Sequence, residues 1–156
     1  MRAVVQRVHW AEVETDGSVV GRIGPGLLVY LGVAKSDDQT NASRLAEKVA
    51  HLRVFEDCSE KLNLSVRDVR GGVLAVPNFT LLADTRKGRR PAFVDAAAGP
   101  DAREKFDLFL TELRRLECTV AQGVFGAHML IRSAADGPVN IVLDLSTACE
   151  PRGDTT

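Results

Sequence analysis

The feature that most constrains this chain is a change of hydrophobic period near residue 37. Before it, apolar residues alternate or run without interruption. Arg2 to Val8 places Ala3, Val5 and Arg7 on one side and Val4, Gln6 and Val8 on the other, as in a strand of a mostly buried sheet. Ala11–Thr15 and Ser18–Ile23 flank Asp16-Gly17, a pair that favours a tight hairpin because both central positions must accept positive φ. Gly24-Pro25-Gly26 turns the chain again, and Leu27–Val33 is apolar throughout, which predicts a central strand covered on both faces. After residue 37, Ala42, Leu45, Ala46, Val49 and Leu52 recur at steps of three and four, which predicts an amphipathic helix with Ser36 or Asp37 as its N-cap.

The remainder alternates between these two habits. Arg53–Glu56 and Asn63–Val66 read as short extended segments, and Gly71-Gly72 feeds a strand over Val73–Phe79. Pro77 cannot donate to a ladder, so it must mark an edge, a bulge or the strand's end. A second helix opens after Gly99-Pro100-Asp101, with Phe106, Phe109, Leu110, Leu113 and Leu116 as its apolar stripe. Strands at Thr119–Gln122, Met129–Ser133 and Asn140–Leu145 follow, the last two separated by Gly137-Pro138. The order is not that of a doubly wound sheet. We therefore expect an α+β fold, a largely antiparallel, barrel-like sheet with two main helices, in one domain over residues 1–149, and a polar tail over 150–156.

Composition narrows the function classes. A chain of 156 residues suffices for one real core. The longest apolar run is far short of a membrane span, and no secretory h-region is present, so a cytoplasmic protein with no membrane contact is expected. Cys58, Cys118 and Cys149 are widely spaced, against a disulfide framework, and His9, His51 and His128 have no metal-ligand spacing, so neither metal nor cofactor is expected. With a net charge of −1, contact with nucleic acid needs a local basic patch. Phosphate-loop, dinucleotide, zinc-protease and nucleophile-elbow motifs are missing. Ser146, His128 and Asp144 make a trio that composition alone supplies, and Arg152-Gly153-Asp154 reads as part of an exposed tail.

Chemistry concentrates between Val76 and Pro91, where a strand end, the hydroxyl of Thr80 and the cations Arg86, Lys87, Arg89 and Arg90 lie close together. Seven segments, in order, resemble the D-aminoacyl-tRNA deacylase family: Met1–Val8, Ile23–Val29, Leu52–Asp57, Asn63–Val66, Phe79–Pro91, Phe125–Ala127 and Asp136–Val139. The resemblance covers about residues 1–145. It implies hydrolysis of the ester between a D-amino acid, or glycine, and tRNA. It also implies a homodimer in which a cis Gly137-Pro138 corner enters the partner's cavity, meets the substrate's α-ammonium with its carbonyls and excludes an L side chain.

Under that resemblance Pro77, Asn78, Phe79 and Thr80 form the catalytic segment, with backbone N–H groups at the Phe79-Thr80 bend facing the oxyanion and the 2′-hydroxyl of the terminal adenosine assisting attack. Gly137, Pro138, Val139, Asn140, Phe125 and Met129 are the substrate-binding set, and Arg86, Lys87, Arg89 and Arg90 contact tRNA phosphates. Relatives usually have serine and glutamine where this chain has Pro77 and Asn78, and threonine where it has Asn140. These departures keep two alternatives open: a chirality-relaxed deacylase clearing mischarged L-alanyl-tRNA, similar to an animal paralogue, and a catalytically weakened module that only binds aminoacyl-tRNA.

Overall fold

A computed structural model describes residues 1–145. The predicted tail, Ser146, Cys149 and Arg152-Gly153-Asp154 lie outside the described residues.

Strand β1 (Arg2–Thr15) is the spine of the molecule. Its first half pairs antiparallel with β3 (Gly26–Gly32) and its second half with β2 (Ser18–Ile23), around a turn in which Asp16 and Gly17 have φ of 50° and 76°. Its other edge pairs antiparallel with β8 (Leu130–Asp144). Beyond β3 the pairing turns parallel, to β6 (Gly72–Pro77) and then β7 (Thr119–Gln122). The sheet is therefore mixed. It curls until β2 meets β7: a Cβ on Gly21 would stand 2.7 Å from the Gln122 carbonyl, so only glycine allows this near-closure. β4 (Phe55–Glu56) and β5 (Leu62–Leu64) form a separate small ribbon.

Two cores explain the sequence patterns. Ala3, Val5, Leu27, Val29 and Leu31 face the helices α1 (Gln39–His51) and α2 (Gly99–Arg115), where Leu45, Val49, Phe106, Phe109 and Leu113 are buried. Val8, Ala11, Val13, Leu28, Leu74 and Val76 fill the inside of the curled sheet. Leu27–Leu31 alternates between the cores, so the unbroken apolar run is a strand with two dry faces. In β1 the buried positions pass from odd (Ala3, Val5, Arg7) to even (Val8) and back to odd (Ala11, Val13) across register shifts at Gln6/Val8 and Val8/Trp10. A bulge adds a residue and flips the faces, which lets one strand serve both cores.

Three expectations need correction. The segments 2–8 and 11–15 are one bent strand, not two. Met129–Ser133 and Asn140–Leu145 are likewise parts of a single β8. Gln6 pairs with Asn140 and Val8 with Ala135, so Asp136–Val139 is an excursion opposite Arg7 within one continuous ladder. The N-cap of α1 is Asp38, whose side chain accepts from the Asn41 N–H (2.9 Å) while the Asn41 side chain accepts from the Asp38 N–H (3.0 Å). Asp37 is committed elsewhere: its buried carboxylate takes the Met1 ammonium and the Ala34 N–H. Pro77 ends β6 by withholding the N–H that would carry the ladder past the bond from the Gly123 N–H to the Ala75 carbonyl (2.9 Å). The Asn78 N–H bonds the Leu31 carbonyl (2.7 Å), so the neighbouring nitrogen of Pro77 faces β7, whose last paired residue, Gln122, lies opposite Ala75.

Candidate active site

A cavity of about 540 Å3 opens at the carboxyl ends of the parallel strands β3 and β6. One wall comes from the barrel interior, through Tyr30, Val76, Met129 and Ile131, and the other from the helix layer, through Leu31, Ala102, Phe106 and Phe125. Apolar side chains dominate, and the polar ones are few: Tyr30, Asn78, Thr80 and His128. That is the composition of a small-molecule site, in which scattered polar groups fix orientation.

The segment after Pro77 carries the rim. Asn78 caps a single-turn 3-10 helix, Phe79–Leu82, and its side-chain oxygen accepts from the Thr80 N–H (3.1 Å) and from the Thr80 hydroxyl. Thr80's amide is therefore engaged, which changes the expected oxyanion geometry. Asn78 N–H is also engaged, on Leu31, whereas Phe79 N–H makes no hydrogen bond among the described residues. The available donor at this bend is thus the Phe79 amide. The Phe79 ring is not a core aromatic: it is 59% exposed and meets Phe93 edge-on, with centroids 5.1 Å apart.

Of the residues singled out from sequence, Pro77, Asn78, Phe79, Thr80, Phe125 and Met129 meet at this cavity. Gly137, Pro138, Val139 and Asn140 do not line it. Their excursion lies opposite Arg7, and Arg2, at the start of β1, pairs with Gly32 and donates to the Leu81 carbonyl (2.8 Å). The Gly137-Pro138 peptide is cis, and both residues are exposed. Arg7, itself buried, holds the corner: it donates to the Val54 carbonyl (2.8 Å) and the Asp136 carbonyl (3.3 Å) and pairs with the Asp136 carboxylate (3.1 Å). Asn140 accepts from the Gln6 side chain (3.0 Å).

The basic loop begins beside the rim and is closed at its base by two backbone hydrogen bonds between Asp84 and Ala92, of 2.7 and 2.9 Å. Arg86 forks onto Asp84 (2.9 and 2.7 Å), whose carboxyl is held down to about 2 by that guanidinium and by the Arg86 N–H. Lys87, Arg89 and Arg90 have no ion pair among the described residues and are exposed.

Sequence reasoning missed Tyr30, Phe93 and the Ala96–Ala102 wall. Tyr30 sits inside an apolar run that reads as core, and burial raises its phenol above the usual tyrosine range. His128 lines the cavity, but Asp144 is paired with Arg2 at 2.6 Å, and Ser146 is outside the described residues. Among the described residues no cluster of three or more His, Cys, Asp or Glu side chains is arranged to hold a metal ion, and no helix is long and apolar enough to cross a membrane.

A mixed, nearly closed barrel with two helices on one face and an apolar cavity at its parallel strand ends defines a narrow class of α+β protein. Within that class the D-Tyr-tRNA(Tyr) deacylase profile matches residues 4–144, and the chain belongs to that family. It is 52% identical to the D-aminoacyl-tRNA deacylase of Deinococcus radiodurans over 93% of this chain and all of that one, and 51% identical to the D-aminoacyl-tRNA deacylase of Thermomicrobium roseum over 92% and 94%. Among solved structures it resembles a c-Myc DNA unwinding element binding protein (TM-score 0.88, 39% identity, 95% of this chain and 100% of that one). A probable eukaryotic D-amino acid tRNA deacylase shares the fold at 17% identity (TM-score 0.78, 92% of this chain and 98% of that one).

Proposed function

We propose that this protein hydrolyses the ester bond of D-aminoacyl-tRNA, and of glycyl-tRNA, in the cytoplasm, as a homodimer. The observation that carries the reading is the Asn78-Phe79-Thr80 bend. It fixes Thr80 through the Asn78 oxygen and leaves the Phe79 amide directed to no internal acceptor, on the rim of a largely apolar cavity. A water-excluding site strengthens such a donor, and removing one oxyanion donor typically costs about 3–4 kcal/mol of transition-state stabilisation. In the reaction, water adds to the ester carbonyl, the carbonyl oxygen takes up the negative charge against Phe79 N–H, and the bond to the ribose oxygen breaks. The proton lost by water ends on that ribose oxygen, with the neighbouring 2′-hydroxyl assisting.

Chirality enters through the second protomer. The corner does not line its own cavity, yet it is exposed and held by the buried Arg7. Strand β8 pairs only with β1 among the described strands and presents Leu130 and Val142 to solvent, so this flank is suited to a second copy. Docked there, the Gly137-Pro138 carbonyls receive the α-ammonium and the backbone wall rejects an L side chain. Val139 and Asn140 support the wall, Phe125 and Met129 line the recipient cavity, and Arg86, Lys87, Arg89 and Arg90 lie along the tRNA path.

The test is hydrolysis of D-tyrosyl- and D-aspartyl-tRNA beside their L counterparts by purified protein of measured mass in solution. Loss of the D esters alone, by a dimer, supports the reading. Intact D esters, or a monomer that remains active, would overturn the respective half of it.

A further inference from the structure

A second concavity, of about 530 Å3, lies away from the cavity, between the outer face of α1 and the end of β8. Arg44, Lys48, His51 and Arg53 line it, against one carboxylate, Glu47, and an apolar floor of Leu52 and Leu143. Elsewhere the chain pairs many of its cations: Arg2 with Asp144, Arg22 with Glu12, Arg132 with Glu12 and Glu14, Arg115 with Glu112. In the groove, Arg44, Lys48 and Arg53 have no carboxylate within ion-pair distance among the described residues; Arg53 only reaches the Asn63 side chain at 3.4 Å. His51 contributes through the cation it holds. In the tautomer that satisfies both contacts it donates to the Glu47 carbonyl (2.9 Å) and accepts from Arg67 (2.8 Å), which tethers a further guanidinium at the edge, itself shared with Glu117 at 3.4 Å.

Helix energetics account for only part of this arrangement. Arg44 and Lys48 are four residues apart on one helix face, about 5–6 Å between Cβ atoms, and like charges at that spacing weaken a helix. The helix dipole favours Lys48 and His51 in the last turn. It gives no account of Arg44, in the middle of α1, or of Arg53, beyond its end. In a chain of net charge −1, such a concentration answers to an anion from outside.

Position indicates which anion. Arg53 precedes Val54, whose carbonyl takes Arg7, and Arg7 holds the Asp136–Val139 corner. The Arg53 end of the groove is therefore next to the segment that bonds Arg7, behind the corner proposed to lodge in the partner's cavity, while Leu143 in its floor pairs with Ala3. We infer that the α1 groove binds backbone phosphates of the tRNA whose ester lies in the partner's cavity, so that one protomer holds the nucleic acid while the other cleaves. This rests on the function proposed above and adds to it a second phosphate-binding surface, distinct from the loop at 86–90.

The test is a triple variant, Arg44→Gln, Lys48→Gln and Arg53→Gln, in the full chain, read three ways. Binding of uncharged tRNA is followed against NaCl, where each lost phosphate contact lowers the salt slope by about 0.7–0.9; a fall of about two is expected, with affinity at low salt reduced about tenfold or more. Hydrolysis of D-tyrosyl-tRNA falls in kcat/KM by the same factor, while hydrolysis of a D-tyrosyl ester of adenosine alone changes less than about twofold. An unchanged salt slope overturns the inference, and so does an equal loss on the adenosine ester, because a merely structural defect would produce it. Glu47→Gln, which removes the groove's carboxylate, is expected to tighten tRNA binding about twofold; weaker or equal binding counts against the inference. Should the unaltered protein cleave neither ester, the proposed function fails, and the binding arm still decides whether the groove takes RNA.

Discussion

The two ends of the barrel carry chemistry in different ways. At the cavity end, Asn78, Phe79 and Thr80 are consecutive, and their geometry is set by hydrogen bonds that span two residues. At the corner end, Asp136–Val139 is held by Arg7, 129 residues earlier in the chain, through a buried guanidinium that also bonds Val54. A local device survives small changes of packing, because its partners move with it. A long-range device transmits them, so the corner should be the more easily disturbed of the two.

Arg7→Met tests that contrast most severely. The substitution keeps the buried stem's approximate volume but leaves the Val54 carbonyl and the Asp136 carboxylate without their donor. The expected loss is about 2–3 kcal/mol, since removing a charged donor from the buried Val54 carbonyl and the partly exposed Asp136 carboxylate exceeds the loss of an ordinary hydrogen bond. Urea unfolding measures it, and a loss under 1 kcal/mol would show that the corner stands without the guanidinium. Gly137→Ala perturbs the same end with less effect on the fold. Gly137 has φ +125°, which an L side chain rarely adopts, and an added Cβ would stand 2.7 Å from the Val139 nitrogen. We expect a stability loss of about 1–3 kcal/mol and about a hundredfold fall in kcat/KM on D-tyrosyl-tRNA, the scale of a displacement of about 1 Å at a site. Full activity in this variant would separate the corner from the reaction.

The contrast also decides what was legible in the sequence. Local signals read well: the Asp16-Gly17 hairpin, both helical stripes, the double-faced strand at Leu27–Val33 and the strand end at Pro77 all stand in the structure. Pro77–Thr80, Phe125 and Met129 line one cavity, a grouping that rested on the family resemblance and not on any local signal. What failed depends on distant partners. Asp37 looks like an N-cap until the Met1 ammonium, 36 residues away, claims it. Residues 129–145 look like two strands because Gly137-Pro138 interrupts the pattern, and only the continuous β1 ladder makes them one. Tyr30 reads as core because a strand sequence does not show where the interior opens to solvent. The engagement of Thr80's amide was invisible for a related reason: an asparagine two residues earlier is an ordinary polar side chain until the bend closes.

Asn78→Ala probes the local device. It frees the Thr80 hydroxyl and amide and removes the cap of the 3-10 turn, a loss of about 1 kcal/mol. Because the Phe79 donor remains, kcat should fall about tenfold, equivalent to about 1.4 kcal/mol, with KM little changed. A drop as deep as that of Gly137→Ala would mean that the two ends are equally sensitive, and the contrast would be lost.

The smallest effect belongs to the loop beside the rim. The Arg86 guanidinium and backbone N–H hold the Asp84 carboxyl down to about 2, against an ordinary value of about 3.9. A carboxylate whose folded value is lowered adds stability that is fully present above the ordinary value and disappears as pH falls through the folded one. The pair therefore orders the loop base throughout the neutral range and releases it only between about pH 4 and pH 2. Arg86 is well exposed and Asp84 about a third exposed, so salt screens the pair and little global stability is expected to follow. Arg86→Gln should return the Asp84 titration, followed by carboxyl NMR, toward its ordinary value. Because Arg86 is already neutralised by Asp84, the variant should weaken tRNA binding less than Lys87→Gln or Arg89→Gln. An unshifted Asp84 would show that the fork is not what holds its proton off, and a larger binding loss at Arg86 than at its neighbours would show that the fork opens to meet phosphate.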